Sequence, residues 1–198
     1  MPRIVEERSF DGAENLIARL GLDELLKEVR TIVTGFPLNI EEKKDSNSAG
    51  AIRSMIDERF VAAGGWTQKK SGGVDWMKRQ PINGRPRFIS VGVEVQVSGR
   101  SDLVAVDLIH LRKQLLQGEI DLAVLIVPSD RLGRFITDRV ATASQTKRHI
   151  DMGHFEEMPF ILMAIEHDGP GEAIKKKRYN YHKAASESRR PKAESRKS

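Results

Sequence analysis

Val91–Val97 reads VGVEVQV, a valine at every odd position with Gly92, Glu94 and Gln96 between them. A period of two in β-branched residues marks a strand, and successive side chains of a strand point to opposite faces. One face is all valine, while the other carries a carboxylate and an amide two residues apart. Upstream, VDWMKRQ (74–80) and PRFISVGVEVQV (86–97) flank Asn83-Gly84, a dipeptide suited to a tight hairpin turn. Downstream, LVAVDLIHLRKQLLQGEI (103–120) has helical apolar spacing with a stop at Gly118. DLAVLIVP (121–128) is a continuous apolar run, as expected of a strand buried on both faces. SDRLGRFITDRV (129–140) offers Ser129 and Asp130 as caps for another helix, and PFILMAIEHDGPG (159–171) reads as a last buried strand closing in a turn.

The N-terminal region is read as helical. AENLIARLGLDELLKEVRTIVTGF (13–36) carries apolar residues at the helical period, with a break at Gly21 and a new start at Asp23. EEKKDSNSAG (41–50) is a polar loop, and AGAIRSMIDERFVAAGGW (49–66) is an amphipathic helix stopped by Gly64-Gly65. A solvated helix face is the simpler reading of its Asp57 and Glu58. The order of helices, hairpin, helix, strand, helix, strand gives an α/β class, a central mixed sheet flanked by helices. At 198 residues and 39% hydrophobic, one core accounts for the chain. The expected organisation is one domain over residues 1–170, with a helical segment spanning 1–66 and a catalytic core spanning 67–170, followed by a tail over 171–198.

The absence of cysteine excludes disulfide frameworks, Fe–S clusters and thiol catalysis. No apolar run is long enough to span a bilayer, and the N-terminus MPRIVEERSFDG is charged where a signal peptide is apolar, so a soluble, cytoplasmic protein without membrane contact is expected. Of the net charge of +5, the stretch 171–198 contributes +7, which leaves −2 for the rest. The basic character therefore belongs to a tail without an apolar face, read as disordered.

A turn at Asn83-Gly84 places positions summing to 167 opposite one another, so Asp75 faces Gly92 and shares a side with Glu94 and Gln96. Gly92 would leave space there. Two converging carboxylates repel unless a proton or cation intervenes, and an all-oxygen donor set suits Mg²⁺. Such a site points to phosphodiester hydrolysis, although on spacing alone Asp and Glu on the solvent face of a hairpin are the simpler explanation. The histidines offer no zinc spacing: His149 and His154 lie in a polar segment, His110 in a helix and His167 in a strand-end turn.

VDWMKR and VGVEVQV, followed by VAVDLIHLRK, IDLAVLIVP and DRL, resemble the BglII/BstYI-type restriction endonucleases, a branch of the PD-(D/E)xK nuclease fold. The resemblance runs from about Ala49 to Gly169 and, more loosely, over RIVEERSFDGAENL (3–16). It implies a type II deoxyribonuclease that cuts double-stranded DNA at a GATC-centred palindrome with Mg²⁺. A homodimer is implied by the symmetry of such a site, with a companion DNA methyltransferase as a partner in the same restriction-modification system. Asp75, Glu94 and the backbone carbonyl of Val95 become the metal ligands, and Gln96 takes the place of the usual catalytic lysine. An amide has no useful basicity, so Gln96 would orient the attacking water rather than deprotonate it.

The resemblance also places Arg100, Thr137, Asp138 and Arg139 where relatives read DNA; Lys78, close to Asp75, reads as a phosphate contact or a solvated hairpin lysine, and Arg131 and Arg134 read as phosphate contacts or solvated residues. The spacing departs from the family pattern: 19 residues separate Asp75 from Glu94, with PINGRPRFI (81–89) lengthening the hairpin. Two other readings share the fold, a repair or mobile-element nuclease of low specificity and a non-cleaving DNA-binding protein.

Overall fold

The computed structural model describes residues 1–68, 73–81 and 88–175. The Asn83-Gly84 turn and all of the basic tail beyond residue 175 lie outside the described residues. Six strands form one mixed sheet: β1 (Arg3–Ser9), β3 (Thr67–Gln68), β4 (Trp76–Pro81), β5 (Phe88–Val95), β6 (Leu122–Pro128) and β7 (Phe160–Glu166). Their order is β1-β7-β6-β5-β4-β3, with β5, β6 and β7 parallel and the remaining pairings antiparallel. A short parallel pair, β2 (Asn39–Ile40) and β8 (Gly169–Pro170), lies apart.

Five helices cover the sheet: α1 (Ala13–Leu20), α2 (Asp23–Thr34), α3 (Ala49–Ala63), α4 (Leu103–Leu116) and α5 (Ala143–Gly153). Helices α1, α2 and α3 bury Ile17, Val29 and Ile52 against the odd-numbered residues of β5, Ile89 through Val95. Helices α4 and α5 bury Leu108, Leu111 and Ile150 against the other face. Strand β6 divides its alternate residues between the two cores, which is why DLAVLIVP is apolar throughout.

Three expectations are corrected. The N-terminal stretch is not wholly helical: β1 is an edge strand on β7, its pattern masked by Glu6 and Glu7, which pair with Lys147 and Arg30. The segment 129–140 forms only a 3-10 turn at Leu132–Arg134, and α5 starts later, at a capping box of Thr142 and Gln145. Ser129 Oγ does accept the Leu132 N–H at 3.0 Å, and Asp130 Oδ1 accepts the Ser144 N–H at 3.1 Å, so both residues cap, but two different elements. Finally, β4 and β5 pair Trp76 with Val93 and Met77 with Gly92, two residues from the idealised register. A shift of two preserves parity, so Asp75 still shares a side with Glu94. The space at Gly92 serves packing: a Cβ there would lie 2.8 Å from Ile120 Cδ1 and 3.1 Å from Val74 Cγ1.

Candidate active site

The polar face of β5 is buried. Ser90, Glu94 and Gln96 are only 5%, 9% and 6% exposed, because α4 covers this side of the sheet. Ser90 is fully accounted for: its N–H and hydroxyl donate to Asp121 Oδ2 at 2.8 and 3.1 Å. Glu94 and Asp75 are held by backbone N–H groups at the strand ends. The Asp75 N–H donates to Glu94 Oε2 at 3.0 Å, and the Val95 N–H donates to Asp75 Oδ2 at 2.8 Å. The two carboxylates thus meet where β4 begins and β5 ends, despite the 19 residues between them.

Asp107, from α4, adds a third carboxyl on this side. Burial first, then the charges of Asp75 and Asp107, push the Glu94 carboxyl up to about 9. Burial and Asp75 likewise push Asp107 up to about 6. Gln96 Nε2 and Asp107 Oδ2 are buried without a hydrogen-bond partner among the described residues. Gln96 is anchored through its backbone, its N–H donating to the Ile126 carbonyl at 2.8 Å.

The positive charge comes from α3. Arg53 Nη2 lies 2.8 Å from Asp75 Oδ1, and its Nη1 donates to the Val95 carbonyl at 2.7 Å. Its Nε donates to both oxygens of Asp57 at 2.9 and 3.0 Å, and Asp57 Oδ1 accepts the Trp76 indole N–H at 2.9 Å. Asp57 is therefore part of the site and not a solvated face. Arg53, Asp57 and Asp107 are the residues that periodicity alone passes over. The signals were the i,i+4 spacing of Arg53 and Asp57 on one helix and the aspartate in VAVDLIHLRK.

The remaining candidates lie elsewhere. Lys78 is three residues from Asp75 and so on the opposite face of β4; its ammonium donates to both Glu28 oxygens, at 2.7 and 2.8 Å. Arg100 is exposed and paired with Asp102 at 3.0 Å. Thr137 Oγ1 accepts the Ala49 N–H at 3.1 Å, satisfying the first turn of α3. Asp138 and Arg139 are exposed and both left-handed, with φ of 74° and 53°. Two consecutive non-glycine residues in that region form a strained turn.

Oxygen donors only, a buried Glu94 with no ion-pair partner among the described residues, and a position between Asp75 and the Val95 carbonyl that already accepts a guanidinium make the site fit a hard divalent ion. Among the described residues, no three His, Asp or Glu side chains form a ready-made metal cage. No helix among the described residues is long and apolar enough to cross a membrane. The family model described as restriction endonuclease BglII/BglIII matches residues 5–165 of the chain. No curated protein matches it.

Proposed function

The chain belongs to the restriction endonuclease BglII/BglIII family, and from that premise we propose that it is a Mg²⁺-dependent type II enzyme hydrolysing duplex DNA at a GATC-centred palindrome. The observation that carries the site assignment is that Glu94 accepts the Asp75 N–H while Asp75 accepts the Val95 N–H, beside the Val95 carbonyl. Those two carboxylates and that carbonyl would hold the ion, which when bound lowers the pKa of a water and offsets charge developing on the phosphate. The chain's own contribution is to exclude bulk water from Glu94 by covering it with α4 and to hold Asp75 in place through the Val95 N–H. Gln96 orients the attacking water, since an amide cannot take its proton. Carboxylates facing a phosphate repel it, so their retention speaks for cleavage over simple binding.

Arg100, Asp138 and Arg139, all exposed, are assigned to DNA contact, with the strained 138–139 turn presenting its two side chains outward. Thr137 belongs to the same segment and acts there by fixing α3. Lys78, being committed to Glu28, is assigned a supporting role only. A palindromic site calls for a homodimer, and α4 offers a surface for it. Leu103, Val106, Ile109 and Leu116 are exposed on its side opposite the packed face. The enzyme is placed in the cytoplasm with a companion methyltransferase, as a restriction-modification system requires.

Unmethylated plasmid incubated with the protein and Mg²⁺ should give discrete fragments, and Glu94→Ala should abolish them while DNA binding persists. A smear would favour a nuclease of low specificity. Binding without cutting would favour a non-cleaving relative.

A further inference from the structure

Among the described residues, the polar contacts of the Arg53 side chain lie within the candidate site. Two of its nitrogens lie on Asp75 Oδ1 and the Val95 carbonyl, at 2.8 and 2.7 Å, and these are two of the three oxygens assigned to the metal. Its third nitrogen is clamped by both oxygens of Asp57, which is itself fixed by Trp76. We propose that Arg53 is a positioning residue that serves as the site's own cation in the DNA-free protein, competing with the divalent ion for Asp75 and Val95. This rests on the reading of Asp75, Glu94 and Val95 as metal ligands.

The physical argument is one of charge and tether. Asp57, Asp75, Glu94 and Asp107 converge on this region, and Arg53 is the cation in contact with two of them. A guanidinium and a divalent ion cannot both lie against the same carboxylate oxygen and carbonyl without strong repulsion. The bond from Nε to Asp57 does not involve the metal ligands, so a shift of the whole planar guanidinium, with the Asp57 side chain following it, takes Nη1 and Nη2 off them while the Nε contact holds it at the site. A DNA phosphate is the natural acceptor for the freed fork, since arginine binds phosphate through paired N–H groups. Metal loading and DNA engagement are thereby coupled, because each favours the same displaced position of Arg53. The DNA-free enzyme keeps its carboxylates ordered while binding metal weakly.

Mn²⁺ binding to the full-length, DNA-free protein, read by electron paramagnetic resonance of free against bound ion, tests this. Arg53→Met should bind Mn²⁺ about tenfold tighter or more, the effect of removing a unit charge at contact distance in a partly screened site. Arg53→Lys should fall between that variant and wild type, and Glu94→Gln should abolish the binding. Glu94-dependent binding of unchanged or lower affinity in Arg53→Met overturns the assignment of Arg53 alone. Absence of Glu94-dependent binding in both wild type and Arg53→Met overturns the metal site and the proposal with it. Should the variants fail to fold, the wild-type Arg53 side-chain NMR signals decide. Its Nη protons should lose protection from exchange on Mg²⁺ addition while the Nε proton keeps it, and unchanged Nη protection at saturating Mg²⁺ overturns the proposal.

Discussion

Glu94→Gln is expected to stabilise the metal-free protein at neutral pH, although it removes a residue assigned to catalysis. Burial first, then the charges of Asp75 and Asp107, raise this carboxyl from 4.5 to about 9 in the folded state. A group that holds its proton more tightly when folded leaves stability intact below about pH 4.5 and erodes it as pH rises toward about 9. The slope is about 1.4 kcal/mol per pH unit for one proton, so between pH 4.5 and 7 the native state loses about 3 kcal/mol. Glutamine has the same size and retains an oxygen to accept the Asp75 N–H, bonded at 3.0 Å in the wild type, without carrying a charge. Urea unfolding in the presence of EDTA should therefore show the variant more stable by about 1 kcal/mol near pH 5.5 and by about 5 kcal/mol near pH 8.5. A difference that does not change with pH would refute the reasoning.

Gly92→Ala should destabilise the fold by about 1–3 kcal/mol, because the new methyl would press into Ile120 and Val74 in a closed core; the shift in urea midpoint checks it, and an unchanged midpoint would mean that the two side chains yield freely. Ile109→Asp, on the exposed apolar side of α4 at 56% exposure, should convert the proposed dimer into a monomer in sedimentation velocity without lowering helical content by circular dichroism. An unaltered sedimentation coefficient would remove α4 from the interface.

VGVEVQV, as a sequence, already established a strand with one apolar and one polar face, because alternation is a local property of the backbone. DLAVLIVP was recognisable as a doubly buried strand from its unbroken apolar run, which leaves no face for water. The parity that unites Asp75 with Glu94 was legible too, and survived a register error of two residues since parity repeats at that interval. The edge strand β1 was not legible. Its charges are stabilised by Arg30 and Lys147, and no local rule connects residue 6 with residue 147. Nor was the burial of the polar face, which depends on α4 folding back across it.

Tertiary structure alone decided where Arg53 and Asp57 lie. On a helix, an i,i+4 ion pair looks the same whether it faces solvent or a buried carboxylate. Only the packing of α3 against the end of β5 brings that pair to the Val95 carbonyl, 42 residues away along the chain. The amino-acid sequence thus singled out the two carboxylates that the fold brings together, Asp75 and Glu94, through a period of two and an ordered set of motifs. Which charges they meet was left to the fold, because electrostatic partners are chosen by distance in space.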